Sequence, residues 1–440
     1  MNAPPTILEP PYIPPAQMLP SDILVHIFQH LTTTHLGRML VENLLLVCRS
    51  WYHTAAHNSS IWSIIDFHPC MADEPSHAAW WRRRIKRRLI RSGQRLLDVN
   101  IDTRSQCHNA KACYCSRKLH TSSPAISRTA DVYGPEDILD IILTIKLYSK
   151  RFRSLLISIP RNSCQSVRLI ANAALAFLLE APALDTLIIY DAIGCVKAKE
   201  AFHRVSLPVL RYCEFRALSG LAGLAAVYRI TDLWLKIDSP WPGNLPQWRT
   251  YRDGPCGLLL HRFFRLRRLV LEFPCQGQAK EVNWFGCELP HLKELTLRGP
   301  EALRANLSAL KTPSLVLLRI TLHKRPRRSS WGQLRYLYTD SWWEQCVRGA
   351  AFASLGPLQN TPIIWLDIHR GTYDEPWFKK YAPEILRPVA HSCQLRLSRH
   401  WEAIIGELLR TNPLFLPGLS HLLIERNGRI DERRVERPAC

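Results

Sequence analysis

From residue 96 onward, the chain repeats a short apolar pattern of the form L-x-x-L-x-L, in which x is any residue. The copies begin at Leu96, Phe152, Leu184, Leu210, Ile230, Leu266, Leu292, Leu315, Ile363 and Leu419, with a partial copy at Leu395 and Leu397. Apolar side chains at every second position are typical of a strand with one buried face, so each copy predicts one strand. Segments such as residues 135–149 predict helices between strands, and this alternation favours parallel strands.

The spacing between the copies is irregular. It is 26 residues from Leu184 to Leu210 and 23 residues from Leu292 to Leu315, within the range of about 20–29 residues that leucine-rich repeats show. Other spacings are longer, and the asparagine that often follows such strands is absent. The pattern therefore predicts an irregular leucine-rich-repeat-like solenoid over residues 96–426, with an ordinary α/β domain of leucine-rich strands as the alternative.

A helical periodicity occupies the chain between residues 19 and 65. Pro20 and Asp22 suit the first turn of a helix, and the apolar positions that follow are Ile23, Leu24, Ile27, Phe28 and Leu31. A second helix is predicted over residues 40–57 and a short third helix over residues 61–65. Three short helices cannot bury this many apolar side chains among themselves, so the excess predicts a surface for another protein.

The order and spacing of these residues resemble an F-box. The segment contains Leu19-Pro20, Ile23-Leu24, Ile27-Phe28, Leu31, Val47-Cys48-Arg49, Trp51 and Ile61-Trp62 in the order of the family pattern. Ile61 stands where leucine is commoner, and a generic helical bundle is the alternative. The resemblance implies docking to a Skp-type adaptor, and through it to a cullin, by Leu19, Pro20, Ile23, Leu24, Ile27, Phe28, Leu31, Leu44, Val47, Cys48, Trp51 and Trp62.

The whole chain is similar to fungal F-box proteins, in which an N-terminal F-box precedes irregular leucine-rich repeats. The expected fold class is therefore α/β, with a small helical F-box followed by the solenoid. We expect a disordered proline-rich leader at residues 1–18, the F-box at 19–66, a basic helical linker at 67–95, the solenoid at 96–426 and a charged C-terminal tail at 427–440. The resemblance implies the substrate-recognition subunit of an SCF-type ubiquitin ligase.

In such a solenoid, the side chains between the inward leucines would meet the substrate protein. The candidates are Tyr190, Tyr212, Arg216, Trp234, Lys236, Arg268, Glu294, Arg298, Trp365 and Asp367. Aromatic side chains mixed with both signs of charge are typical of protein interfaces. The residues do not name the substrate.

The chain is strongly basic, with 58 Lys and Arg against 37 Asp and Glu and a net charge of +21. The densest basic run lies between residues 80 and 95. It predicts a solvated helix face with a localisation signal, while a basic nuclear protein that binds nucleic acid through residues 82–95, or a scaffold without a ligase role, is the alternative function. No zinc finger or RNA-recognition motif is present, so nucleic acid is not the expected partner.

Candidate chemistry is sparse. The sequence has no nucleophile elbow, phosphate-binding loop or zinc-protease motif, so we expect a non-catalytic protein without a cofactor. Cys107, Cys113, Cys115 and His120 could bind zinc, but their spacing is unusual and an incidental loop is favoured. Cysteines such as Cys48 and Cys213 lie in apolar patterns typical of free thiols. With no secretory signal or membrane span in the pattern, we expect an intracellular protein of the cytoplasm, the nucleus or both.

Overall fold

The computed structural model describes residues 19–67, 75–102, 135–159, 173, 176–191, 207–215, 228–236, 260, 262–273, 287–299, 310–322, 361, 363–368, 394–398, 402–412, 416–426 and 429–434. The chain divides into two compact units, residues 1–184 and residues 185–440. The first unit thus extends beyond the predicted F-box and linker and includes the first strands of the apolar repeat.

Between residues 19 and 67, the structure has four short α-helices: α1 (Ser21–Thr33), α2 (His35–Leu40), α3 (Arg49–His57) and α4 (Ser59–Trp62). A 3₁₀ helix at Val41–Leu46 lies between α2 and α3. The predicted continuous helix over residues 40–57 is therefore wrong, because Cys48 adopts an extended conformation (φ −163°, ψ 172°) that ends the 3₁₀ segment and begins α3. The predicted third helix is shorter than expected, and a strand follows it.

The turn between α1 and α2 depends on a glycine. The hydroxyl oxygen of Thr34 caps α2 by accepting a hydrogen bond from the N–H of Gly37 at 3.0 Å. A Cβ atom at Gly37 would lie 1.9 Å from the carbonyl oxygen of Leu31. Only glycine therefore allows the two helices to meet this closely.

Three parallel strands follow the helices in unit 1. They are β1 (Ile64–Phe67), β2 (Leu97–Asp102) and β3 (Phe152–Ile159), with α5 (Pro75–Arg91) between β1 and β2, and α6 (Pro135–Lys146) between β2 and β3. The predicted helix near residues 135–149 is confirmed by α6. The predicted inward position of Leu96 is wrong: Leu96 is 45% exposed and Leu97 is buried instead, beside a register shift in the ladder after Leu97.

The described residues of unit 2 form ten short strands that pair in chain order. They are β4 (Thr186–Asp191), β5 (Tyr212–Phe215), β6 (Asp232–Lys236), β7 (Arg268–Glu272), β8 (Glu294–Arg298), β9 (Leu317–Leu322), β10 (Ile363–Ile368), β11 (Gln394–Ser398), β12 (His421–Arg426) and β13 (Arg429–Arg434). Strands β4 to β12 run parallel, and β13 is antiparallel to β12. Helix α7 (Glu402–Thr411) precedes β12. Part of the segment predicted as a charged tail is therefore strand β13.

Most copies of the apolar pattern bury all three of their apolar side chains. In the copy at β8, for example, Leu292, Leu295 and Leu297 are fully buried. The proline that precedes several copies occupies the second position of a turn, in which the N–H of the first leucine bonds back three residues. In this copy the N–H of Leu292 donates to the carbonyl of Leu289, with Pro290 between them. Proline suits this position because its φ angle is already that of the turn.

The copy at β10 is displaced from its predicted frame. Ile364 pairs in register with Leu318 and Leu366 pairs with Ile320, so the copy begins at Thr361, two residues before its predicted start. Thr361 and Ile364 are buried, whereas Ile363, predicted to point inward, is only half-buried. The first position of this copy is threonine rather than a leucine-like residue, so the copy does not follow the L-x-x-L-x-L pattern. The partial copy in β11 follows the same register, with Leu395 opposite Ile364.

Candidate functional site

Helix α1 carries two adjacent apolar stripes with different environments. Leu24 and Phe28 form the inner stripe and are completely buried. Ile23, Ile27 and Leu31 form the outer stripe, four residues apart from each other, and they are 43%, 37% and 36% exposed. Residues four apart lie above one another on a helix, so the outer stripe is a continuous apolar ridge along α1.

The inner stripe packs into a small core of its own. Buried side chains from α1, the 3₁₀ helix, α3 and α4 make up this core, namely Leu24, Phe28, Val41, Leu44, Ala55, Ile61 and Trp62. The rings of Phe28 and Trp51 meet edge to face with their centroids 5.3 Å apart. The indole N–H of Trp62 donates to the carbonyl of Ala55 at 2.6 Å, so the buried polar atom of this ring is satisfied.

Further apolar side chains are exposed where the 3₁₀ helix meets α3. Leu46 is 82% exposed and Val47 is 52% exposed. Leu40 and Tyr52 are also exposed by nearly half of their surface. Leu40, Leu46 and Tyr52 are not among the predicted docking residues, although the run of leucines at residues 44–46 is longer than one helix face can bury.

The structure divides the predicted docking residues into three groups. Pro20, Ile23, Ile27, Leu31 and Val47 are exposed, and Leu19, Cys48 and Trp51 are half-buried. Leu24, Phe28, Leu44 and Trp62 lie in the core instead. The last four cannot contact a second protein without unfolding the helices, because adjacent positions on a helix, such as Ile23 and Leu24, point in different directions.

The basic run is not simply a solvated face. Helix α5 buries Trp81, Ile85 and Leu89 together with Arg84 and Arg88. The guanidinium groups of both arginines donate to the carbonyl oxygen of Arg38, and that of Arg88 also donates to the carbonyl of Ile64 at 2.8 Å. The predicted solvated linker is therefore partly a buried element of unit 1. These two arginines are also not accessible to nucleic acid, which weakens the alternative based on residues 82–95.

Glu42 supplies the opposite charge for the buried arginines. Its carboxylate lies 3.3 Å from Nε of Arg84 and 3.7 Å from Nε of Arg88. Burial lowers the pKa of Arg88 to about 10, although the nearby carboxylates of Glu42 and Asp66 raise it. Arg88 is therefore still protonated at neutral pH, and its charge is compensated by hydrogen bonds and by Glu42.

Residues 16–68 match the family model described as F-box-like. This match spans α1 to α4 and strand β1, and therefore includes the apolar ridge of α1. The chain contains an F-box-like domain. No curated protein matches the chain.

F-box domains in general bind Skp-type adaptors, and F-box proteins are in general non-catalytic adaptors of ubiquitin ligases. The F-box-like domain therefore indicates a general role as a substrate adaptor of an SCF-type ligase. Within the domain, the exposed apolar ridge of α1 is a surface of the kind that marks protein interaction sites.

The described residues predicted to contact a substrate lie on strands of unit 2, where they contact neighbouring side chains. The hydroxyls of Tyr190 and Tyr212 both donate to the carboxylate of Glu214, at 2.6 and 3.1 Å. Burial, together with the negative charge of Glu214, raises the pKa of Tyr212 above its ordinary value. Lys236 lies 2.6 Å from the carboxylate of Glu272. These contacts hold the side chains in fixed positions.

The other predicted contact residues form ion pairs and stacked pairs. Arg268 donates to Glu294 at 2.7 Å, and this hydrogen bond raises the pKa of its guanidinium. The guanidinium of Arg298 lies 4.5 Å from the centre of the Trp234 ring, and that of Arg319 lies 3.6 Å from the centre of the Trp365 ring. Arg216 and the side chain of Asp367 lie outside the described residues.

Several absences apply to the described part of the chain only. No helix there is long and apolar enough to cross a membrane. No cluster of three or more potential metal ligands occurs among the described residues, and the candidate zinc ligands Cys107, Cys113, Cys115 and His120 lie outside them. Cys48 and Cys213 are free thiols, and burial raises the pKa of Cys213 well above its ordinary value.

Proposed function

We propose that this protein is the substrate-recognition subunit of an SCF-type cullin-RING ubiquitin ligase inside the cell. The F-box-like domain would dock on a Skp-type adaptor, which links it to the cullin, and the strands of unit 2 would hold the substrate protein. The observation that carries the proposal is the exposed apolar ridge of Ile23, Ile27 and Leu31 on a domain that already has a complete core.

Energetics favour a protein partner for the ridge. Fully burying one large aliphatic side chain contributes about 1.5–3 kcal/mol. Covering the ridge together with Leu46 and Val47 would therefore contribute several kcal/mol, before the cost of association is subtracted. A charged or polar ligand would gain nothing from these side chains, because they offer no hydrogen-bonding groups.

The strand region supports the second half of the proposal. We propose that it is an irregular leucine-rich-repeat solenoid whose outward side chains contact the substrate. The regular register supports this interpretation: Trp234, Arg319 and Trp365 are half-buried members of one row of equivalent positions on the strands, and Glu214, Val270 and Thr296 are its buried members. Rigid aromatic and arginine side chains in such a row are the types that dominate binding energy at interfaces.

Co-purification tests the adaptor half of the proposal. The full chain, co-expressed with a Skp-type adaptor, should elute with it from a sizing column. Leu46→Asp should reduce adaptor recovery at least about tenfold, because a carboxylate would have to be desolvated at the interface. Leu147→Asp is a matched control, since Leu147 is also 82% exposed in unit 1 but lies after α6, outside the F-box-like domain. Failure of the unaltered chain to recover any adaptor would refute the proposal.

Ubiquitin transfer tests the substrate half. Cell extract proteins that gain ubiquitin only with the complete reconstituted ligase would be identified by mass spectrometry. Replacing Trp234 and Trp365 with alanine should reduce their modification while leaving adaptor recovery unchanged. If this double variant modifies the same proteins as efficiently as the unaltered chain, the proposed substrate face is wrong.

A further inference from the structure

A basic groove lies beside the N-terminal ends of strands β5 to β9 in unit 2. Its volume is about 840 Å³. The basic residues that line it are Arg211, Arg229, Arg265, Arg267, His291 and Lys293. No aspartate or glutamate belongs to this lining. None of these positions has a role predicted from the sequence.

Backbone register explains why the cations gather there. The carbonyl of Arg211 accepts hydrogen bonds from Thr231, that of Thr231 accepts from Arg267, and that of Arg267 accepts from Lys293. These four residues therefore occupy the same position in successive copies of the repeat, just before each strand. Neighbouring strands are about 4.8 Å apart. Basic side chains at this position, and two residues earlier, are consequently stacked into two short rows.

The charges of the groove are poorly compensated within the described residues. Arg211 has a distant, exposed partner in Asp185 at 3.8 Å. Arg267 and Lys293 have no ion pair with any described residue. Arg268, which follows Arg267 in the chain, differs from it because it forms ion pairs with both Asp232 and Glu294. Accumulated like charge without counter-charges attracts an anionic partner and steers its approach.

An apolar shelf adjoins the cations. Tyr228 and Phe264 are half-exposed, and their ring centroids are 6.1 Å apart with the planes tilted by 44°. The guanidinium of Arg265 lies over the Phe264 ring at 5.8 Å, and exposed Val209 extends the shelf. Two adjoining rings, one of which is partly covered by Arg265, do not form the series of separate faces on which successive bases stack. They suit an aliphatic or aromatic side chain.

We infer that this groove binds an acidic segment of a partner protein that carries an apolar residue among its carboxylates. The rows of cations would pair with the carboxylates, and the shelf would cover the apolar side chain. The surface is distinct from the outward row of Trp234 and Trp365, and its binding does not require the adaptor. The inference therefore stands or falls separately from the proposed ligase function.

Fluorescence anisotropy with the full chain and no adaptor tests the inference. The probe is a short labelled peptide of glutamates with one central phenylalanine. It should bind, and binding should weaken as salt is raised. Arg267→Glu combined with Lys293→Glu should weaken it about fivefold or more. Phe264→Ala should weaken this peptide but leave an all-glutamate peptide of equal length unaffected.

A charge-matched control separates the groove from net charge. Arg262→Glu combined with Arg410→Glu makes the same change at two exposed positions of unit 2 outside the groove lining, and it should alter the affinity by less than about twofold. Equal weakening by both double variants would overturn the inference, as would failure of the peptide to bind. Tighter binding of a single-stranded oligonucleotide of equal charge, lost on the Arg267 and Lys293 changes, would replace the protein partner with nucleic acid.

Discussion

The F-box-like domain and the strand region of unit 2 expose very different surfaces. In the F-box-like domain, the core is complete with the inner stripe, and large apolar side chains remain exposed along α1 and before α3. In unit 2, the inward apolar positions are buried, and the outward positions carry charges and aromatic rings that pair with each other. An exposed apolar surface is most stable when another protein covers it permanently. A surface of charges and aromatic rings can instead distinguish one partner from another.

The difference also shows that exposure and amino-acid type must be considered together. An exposed leucine by itself means little, because much of any protein surface is apolar. The ridge on α1 is informative because its members lie four residues apart and adjoin a core that has no room for them. The paired charges of unit 2 contribute little stability individually, so their value lies in holding side chains in place.

The largest expected effect comes from the inner stripe. Phe28→Ala should lower the local stability of the F-box-like domain by about 3–5 kcal/mol, because a completely buried aromatic ring leaves a cavity. Hydrogen exchange of peptides covering residues 21–62 measures this change. Adaptor binding would also be lost, but through unfolding, so this substitution does not identify the docking surface. Unchanged exchange would contradict the buried position of Phe28.

A comparable loss of stability is expected when the buried arginine Arg88 of helix α5 is replaced. Arg88→Ala should destabilise unit 1 by about 3–5 kcal/mol, because it removes donors from two backbone carbonyls and a buried counter-charge from Glu42. Arg83→Ala is the control, since Arg83 is exposed on the same helix. Denaturant titration of both variants, followed by hydrogen exchange, compares them. Equal stability of the two variants would show that burial of the arginines is not important.

A smaller effect is expected on the outward face of unit 2. A double-mutant cycle with Lys236→Ala and Glu272→Ala should give a coupling free energy of about 0.2–1 kcal/mol, as for other partly exposed ion pairs. Thermal denaturation at low and high salt measures it, and salt should reduce the coupling. A coupling of several kcal/mol would mean that this pair is part of the structural core rather than of a recognition face.

Much of the fold could be predicted from the sequence, because the buried residues follow regular periods. The helical periodicity predicted α1. The repeated apolar pattern predicted strands β3 to β9 and the residues that each of them buries. Errors arose where one residue departed from the period. The register shift after Leu97 displaced Leu96, and Thr361 in place of a leucine-like residue displaced the frame of β10.

The sites were harder to predict than the fold. Periodicity places Ile23 and Leu24 on the same broad face of α1, and only packing decides that Leu24 is buried while Ile23 is exposed. Burial of Arg84 and Arg88 depends on Glu42, which is far away in the sequence. The sequence contains one indication of the basic groove. A basic residue directly follows the first leucine of several copies, as in Arg211 and Lys293.

The most direct test of the account is the affinity of the full chain for a Skp-type adaptor when the ridge is altered. Ile23 and Ile27 are 43% and 37% exposed, so Ile23→Asp with Ile27→Asp also removes partly buried apolar surface and should lower the stability by about 1–3 kcal/mol. Leu139→Asp with Leu143→Asp is the matched control, because these residues are also four apart and similarly exposed, on α6. Titration calorimetry should show adaptor binding by the control and a loss of at least about a hundredfold for the ridge variant. Equal affinity of the two folded variants would contradict the account.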